Sequence, residues 1–401
     1  MRKLLAALIA AAVSAGAYAD DAKKTEDPPK KAEAKADDSK EKSRNEKLIS
    51  LRREMSNEQQ TVLKEYQSSE GDKKQAALNK YMGIAPAYSL KMYKLAEENP
   101  KDDVGFDAAM AAFQFGQGGA MSKKAMDMIL TYHIDNPKLK PLIPNLGGGG
   151  DAGMTALKTL SEKSKDKEVQ GESLYYLGAA RLENADYPRT GKPLSMEEQT
   201  AEFKDAKAIL TRAAKEFGDV KIVRGRKMPN QTEAEFMAKQ PTIAKQVEGQ
   251  MFFLNNLTVG KTMPDATSEN LDGQKVKISD YRGKVVVLDI WATWCGPCRA
   301  MIPHEREMTG KLKDKPFTLI SLSADDKKET LTKFLDTTPM PWTHWWNGGA
   351  RGGAVEAYKV RFFPTVYVLD AKGVIRHKHL RGDDLEKAVE KMLAEMGAKG
   401  E

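Results

Sequence analysis

Apolar residues along this chain follow two different periods, and the change from one to the other falls near Val259. From about residue 45 to 255 they recur three and four positions apart. Leu174, Leu177 and Leu182, with Tyr175 and Ala179 beside them, show the spacing of one buried helix face. The pattern predicts helices over roughly 45–68, 73–98, 105–115, 121–135, 151–164, 168–184, 197–217 and 231–250. Glu98-Asn99-Pro100, Asp135-Asn136-Pro137 and Phe217-Gly218-Asp219 supply stops, because Pro cannot continue a helix and Gly or Asn accepts the conformation that ends one.

Beyond Val259, short β-rich runs alternate with helical stretches. Strands are predicted over 275–278, 285–291, 317–323, 365–369 and 374–379, with helices over 296–313, 327–337, 352–358 and 383–396. That order is an α/β layer fold. The chain therefore divides into an all-α region, 45–255, and an α/β domain, 256–401. The helix stops come at loosely similar intervals, which suggests stacked hairpins. Leu174-Tyr175-Tyr176-Leu177-Gly178-Ala179-Ala180, followed by Phe203, Ala206 and Ala213, resembles a degenerate tetratricopeptide unit. The run Gly147-Gly148-Gly149-Gly150 lacks a preceding strand and a following Gly-Lys-Ser/Thr, so it is expected to be a flexible connection between helices rather than a phosphate loop.

Both ends of the composition are informative. Arg2 and Lys3, an apolar stretch over 4–15 and Ala17-Tyr18-Ala19 make an export signal over 1–19, too short in its apolar part to span a membrane. Residues 20–44 reduce to Lys, Glu, Asp, Ala and Ser with Pro28-Pro29, and are expected to be a disordered charged linker. The mature protein is expected to be soluble and extracytoplasmic, for example periplasmic. Lys+Arg 64 against Asp+Glu 57 leaves +7, spread along the chain without a basic stripe interleaved with aromatics, which argues against nucleic-acid binding.

Cys295 and Cys298 are the only cysteines among 401 residues, and both fall in Trp294-Cys295-Gly296-Pro297-Cys298. An exported chain that relied on covalent staples would scatter several. One C-x-x-C placed after an apolar run and before a helical pattern asks for reversible thiol–disulfide chemistry. A metal half-site would need a second ligand pair, and no second C-x-x-C or H-x-x-x-H exists.

Four segments carry a family resemblance. They are Gly283-Lys284-Val285-Val286-Val287-Leu288-Asp289, Trp291-Ala292-Thr293-Trp294-Cys295-Gly296-Pro297-Cys298, Phe363-Pro364-Thr365, and Asp370-Ala371-Lys372-Gly373 with Val374-Ile375. Over about 140 residues from Val259 onward the chain resembles the thioredoxin fold, in the exported redoxin branch typified by the TlpA and ResA thiol-disulfide oxidoreductases. The resemblance implies a protein disulfide reductase or oxidoreductase with protein disulfide or dithiol substrates and no cofactor beyond the Cys295–Cys298 pair. Catalytic candidates are Cys295, Cys298, Asp289 and Pro364; substrate-binding candidates are Trp294, Gly296, Pro297, Phe363 and Thr365.

The physics agrees. A helix N-terminus favours a thiolate at Cys295, and Cys298 lies one turn further on, so Cys295 is expected to attack and Cys298 to resolve. Pro364 matches the family's cis-proline, and Asp289 resembles thioredoxin's buried proton acceptor for the resolving cysteine. Its usual Lys partner is absent, Ser321 standing near that place. ResA-like proteins that reduce apocytochrome c carry an acid three residues after the second cysteine; here Met301 holds that position, which weakens a cytochrome-maturation role, and Gly296-Pro297 with Asp289 point instead to a general reductant.

Several other residues are read as structural. His377 and His379 are expected on a solvated strand face, Glu305 and Arg306 on a solvated helix face, and Trp342, Trp345 and Trp346 in packing or along a substrate groove. A thiol peroxidase would need Thr or Ser at position 292 and Pro at 288, where Ala292 and Leu288 stand. A further reading makes the helical region a protein-interaction module with a redox-sensing appendage. In an oxidising compartment the pair needs a reductant, so a membrane-linked redox partner is expected.

Overall fold

The computed structural model describes residues 33–188 and 194–397. The described residues divide into two compact units, 33–248 and 249–397. The expected export signal at 1–19 and the first part of the expected linker, 20–32, lie outside them.

The first unit is helical: α1 (Glu33–Ser68), α2 (Gly71–Glu98), α3 (Asp103–Phe115), α4 (Ala120–Tyr132), a 3-10 turn (Pro137–Leu142), α5 (Ile143–Leu146), α6 (Gly150–Lys163), α7 (Lys167–Asp186), α8 (Met196–Phe217) and α9 (Glu233–Ala238); α10 (Ile243–Asn256) leads out of it. Sequence neighbours pack on one another, α1 on α2, α2 on α3, α6 on α7 and α7 on α8. Leu48, Met92, Leu95, Phe106, Met126, Ile129, Leu157 and Leu160 form the centre of the core. Helices α2, α3, α4, α6, α7 and α8 range from 13 to 28 residues and do not repeat one fixed unit.

Three expectations are corrected in this unit. Helix α1 begins at Glu33, so residues 33–44 of the expected disordered linker are helical. Ala, Glu and Lys are strong helix formers, and tertiary contacts hold the segment: the largely buried Arg44 donates to the Leu95 and Asn99 carbonyls and pairs with Asp102. The helix expected over 231–250 is two helices, because Pro241 disfavours helical backbone at Gln240 and leaves its own carbonyl to accept from Ile222 N–H. The run Gly147 to Gly150 is a place of close approach rather than slack. A Cβ at Gly147 would stand 2.8 Å from that of Ala180, and one at Gly149 would stand 2.7 Å from the Phe113 ring.

The second unit is a seven-stranded mixed sheet flanked by helices. Its elements are β1 (Ser268–Asn270), β2 (Lys275–Val276), β3 (Val285–Trp291), α11 (Gly296–Arg299), α12 (Ile302–Lys311), β4 (Phe317–Ser323), α13 (Lys328–Thr337), β5 (Thr343–Trp346), α14 (Gly353–Ala357), β6 (Thr365–Leu369), β7 (Ile375–Lys378) and α15 (Asp383–Gly397), in spatial order β2-β1-β5-β4-β3-β6-β7. Strand β3 is central, parallel to β4 and antiparallel to β6, and every residue in it is buried. Alternation along β3 sends Val285 and Val287 into a core with Met301, Met308 and Leu312 around α12 and Leu385, Val389 and Met392 of α15.

Local chemistry explains most boundaries here. Asp370 Oδ1 accepts from the backbone of Lys372 and Val374, and Gly373 takes φ +77°, closing the β6–β7 hairpin. The single helix expected over 296–313 is broken into α11 and α12. Pro303 has no N–H for the Arg299 carbonyl and its ring clashes with it. Strand β5 falls in the tryptophan-rich insertion, where no strand is predicted. It pairs with both β1 and β4.

Candidate active site

Strand β3 ends at Trp291 and the chain turns through Ala292, Thr293 and Trp294 to Cys295, the residue that caps α11. Cys295 and Cys298 are joined by a disulfide with Cα atoms 5.3 Å apart. Pro297 sits in the first turn, where its missing N–H leaves no helical acceptor unmet. The Cys298 N–H donates to Cys295 Sγ at 3.2 Å, a contact that strengthens when that sulfur carries negative charge. Because α11 has only four residues, this single N–H, rather than the dipole of a long helix, is the direct stabiliser. Both sulfur-bearing residues are nearly enclosed, Cys298 (2% exposed) more than Cys295 (5%), while Gly296, Pro297 and Trp294 are exposed.

The Phe363–Pro364 peptide bond is cis and Pro364 is buried. The Trp294 ring meets Phe363 edge-on, so the disulfide loop and the proline loop are in contact. Thr365 pairs with Ile290 across β3–β6, and its hydroxyl donates to the Phe362 carbonyl at 2.6 Å. The Thr365 side chain thus braces the proline loop rather than facing outward. Two open grooves adjoin the disulfide loop. One, of about 490 Å³, is lined by Gly296, Arg299, Ile302, Arg306 and Phe334; the other, of about 460 Å³, by Trp294, Asp326, Gly349 and Arg351.

Asp289 lies in the middle of β3, 3% exposed, and burial pushes its carboxyl up to about 7 against the opposing charge of Arg381. Ser321 is its register partner on β4, and the Ser321 hydroxyl accepts from Trp342 Nε1 at 2.8 Å. Trp346 donates to the Asp325 carbonyl and Trp345 is fully buried, so the three tryptophans of the insertion pack and brace.

Three residues, Glu305, Arg306 and His379, stand where the sequence pattern does not put them. Glu305, expected on a solvated face, is 1% exposed; burial first, and the charge of Asp289 second, hold its carboxyl well above the ordinary range. The signal was present, since Met301, Glu305, Met308 and Leu312 form one helical stripe in which only Glu305 is polar. Arg306 is half-buried and donates to the Pro339 carbonyl at 2.6 Å. Asp325 was not singled out at all. It accepts from Thr293 N–H, from the Thr293 hydroxyl at 2.7 Å and from the Ser323 hydroxyl at 2.8 Å, which fixes the turn before Trp294. His379 has φ +60° and follows the end of β7, so it does not share a strand face with His377. Among the described residues no group of three or more His, Cys, Asp or Glu could hold a metal ion.

A sequence model of the family described as Redoxin matches residues 258–394. The thioredoxin-like protein YneN of Bacillus subtilis is 32% identical over 137 residues, covering 33% of this chain and 78% of that protein. The chain belongs to the redoxin family. The thiol-disulfide oxidoreductase ResA of Bacillus thuringiensis subsp. konkukian is 28% identical over 137 residues, covering 34% of this chain and 78% of ResA. The solved thioredoxin domain of a thiol-disulfide oxidoreductase from Bacteroides vulgatus is 32% identical, covering 34% of this chain and 99% of that one, with a TM-score of 0.32. This redoxin is a thiol-disulfide oxidoreductase with a thioredoxin-like C-terminal domain, preceded by a helical region that these relatives do not cover. No helix among its described residues is long and apolar enough to cross a membrane.

Proposed function

We propose that this redoxin is an exported reductant of protein disulfides, with Cys295 attacking and Cys298 resolving. The observation that carries the reading is the Cys295–Cys298 bond itself, closed at the start of a helix beside an exposed Trp294 and the Phe363–Pro364 loop. In the reduced protein the Cys295 thiolate attacks one sulfur of a substrate disulfide. That S–S bond breaks, the other substrate sulfur leaves as a thiolate and takes a proton, and a mixed disulfide remains. Cys298 then loses its proton and its sulfur attacks Cys295 Sγ. The mixed disulfide breaks, the second substrate thiol leaves, and two electrons have passed to the substrate.

Support for the assignment of roles comes from exposure and hydrogen bonding. Cys295 is the less buried of the two and receives the Cys298 N–H. Asp289 is placed in β3 with a carboxyl that titrates near neutrality, the property a proton acceptor for Cys298 needs. Trp294, Gly296, Pro297 and Phe363 make the contact surface for an extended substrate, with Pro364 offering no competing N–H.

In this reading residues 1–19 direct export and are removed, a membrane-linked reductant recharges the pair, and the helical unit serves as a docking platform. The test is trapping. Cys298→Ser should accumulate mixed disulfides with protein substrates, and Cys295→Ser should accumulate none. Equal trapping by both variants would refute the assigned roles.

A further inference from the structure

One face of β3 and one stripe of α12 meet in the core next to the disulfide. Val285, Val287 and Asp289 alternate along the strand on that face, and Met301, Glu305, Met308 and Leu312 recur at helical spacing opposite. Asp289 and Glu305 are the two acids in these otherwise apolar rows. Each is almost fully enclosed, and neither Asp289 Oδ1 nor either Glu305 carboxyl oxygen has a hydrogen-bond partner. Asp289 stands six residues before Cys295 and Glu305 seven after Cys298, so both belong to the elements that hold the disulfide.

Two unpaired anions cannot share such a place. Each would lack hydration, and their repulsion would go unscreened. The surrounding charges do not relieve it. Arg381, between β7 and α15, is the one cation among the described residues that acts on Asp289. His304 of α12 is directed to Asp383 and Glu386 of α15, and Lys311 to Glu386. On β4 the neighbour is Ser321, whose hydroxyl is engaged by Trp342.

We propose that Asp289 and Glu305 form a carboxyl dyad that retains one proton through the neutral range, with Glu305 a positioning residue that keeps Asp289 as the open proton-accepting place. The proposal rests on the redox reading above and deepens it. At release of the mixed disulfide the Cys298 S–H bond breaks and its proton passes to the Asp289 carboxylate. The electron pair left on sulfur forms the bond to Cys295, and the substrate sulfur leaves with the pair from the broken bond. The dyad goes from one proton to two, and re-reduction of the disulfide returns the extra proton to Cys298. Glu305 stays neutral throughout, a polar neighbour that makes the ionised form of Asp289 tolerable in an apolar wall.

Infrared spectroscopy of the full chain tests the proton directly. At about pH 8 ordinary carboxyls are ionised. The dyad predicts a protonated-carboxyl band that persists at that pH and is largely lost in Glu305→Gln. In Asp289→Asn the midpoint of the remaining band should fall by about one pH unit or more, because the neighbouring charge is gone. The kinetic arm measures release of a preformed mixed disulfide against pH. Glu305→Gln, neutral and polar, should keep the wild-type profile. Glu305→Met, which suits the apolar stripe and so guards against misfolding, should move the midpoint upward and slow release at neutral pH by about tenfold.

Absence of the band at about pH 8 in the wild type, an unmoved midpoint in Asp289→Asn, or a wild-type profile in Glu305→Met overturns the dyad. Failure of the wild-type protein to reduce any protein disulfide sinks the redox reading instead and leaves the infrared result standing.

Discussion

Trp294 and Phe363 meet edge to face, ring centroids 5.5 Å apart and planes at 87°, and so tie the loop that carries Cys295 to the loop that carries Pro364. The contact fixes an indole that nevertheless remains 64% exposed. A large aromatic held rigidly in solvent beside a disulfide has little to contribute to folding and much to contribute to a partner, because its apolar face is desolvated only on binding.

Replacing Trp294 by Ala is therefore expected to leave stability within about 1 kcal/mol of wild type. It should raise KM for protein disulfides several-fold while leaving the rate with a small aromatic disulfide unchanged. Parallel assays with the two substrate types check this. Equal loss with both would place Trp294 in the chemistry rather than in recognition.

Asp289 predicts a pH dependence of stability. Its carboxyl sits near 7 when folded and in the ordinary carboxylate range when unfolded, so the folded state binds the proton more tightly. The stabilisation is complete below the unfolded value and is lost as pH rises through about 7. Asp289→Asn should remove the Asp289 share of that decline, leaving the share of the buried Glu305, and make the domain more stable above neutrality, by an amount on the order of a few kcal/mol. Denaturant titrations at acid and alkaline pH measure it, and a parallel decline in both proteins would be the contrary result.

Asp325 holds the turn before Trp294 through Thr293 and Ser323. Removing it leaves these donors unsatisfied at a nearly buried position, and Asp325→Ala is expected to cost about 1–3 kcal/mol. Backbone amide exchange should rise at Thr293 and Trp294 before it rises elsewhere in the sheet. Uniform protection across both residues in the variant would show that the turn holds without Asp325.

In the helical unit, Arg44 ties α1 to the Leu95 and Asn99 carbonyls at the end of α2 and to Asp102, which itself caps α3 through Gly105 N–H. Arg44→Ala should destabilise this unit by about 1–3 kcal/mol and expose the early turns of α1 to proteolysis. The measurement is cleavage within residues 33–47 under native conditions. Resistance equal to wild type would mean that apolar contacts such as Leu48 alone anchor the helix.

The sequence by itself determined the alternation of secondary structure and the chemistry of the disulfide segment. Strands β3, β4 and β6 fall where their apolar runs place them, and the hairpin after Leu369 follows from Asp370 and Gly373, because these signals are local. Cys295, Pro297 and Cys298 needed only their spacing and the strand before them. The break between α11 and α12 was also local, written in Pro303, though easily overlooked beside a strong apolar period.

Tertiary structure decided the rest. The segment 343–346 is a strand because β1 and β4 supply its hydrogen bonds from distant parts of the chain, and no local pattern announces such partners. Glu305 is buried because β3 and α12 close over it; a lone acid in an apolar stripe can sit at the margin or at the centre, and only the neighbouring elements choose. Asp325 acquired its role from Thr293, 32 residues away. Periodicity tells which face of an element is apolar, but the depth of a polar group within that face is a property of everything packed against it.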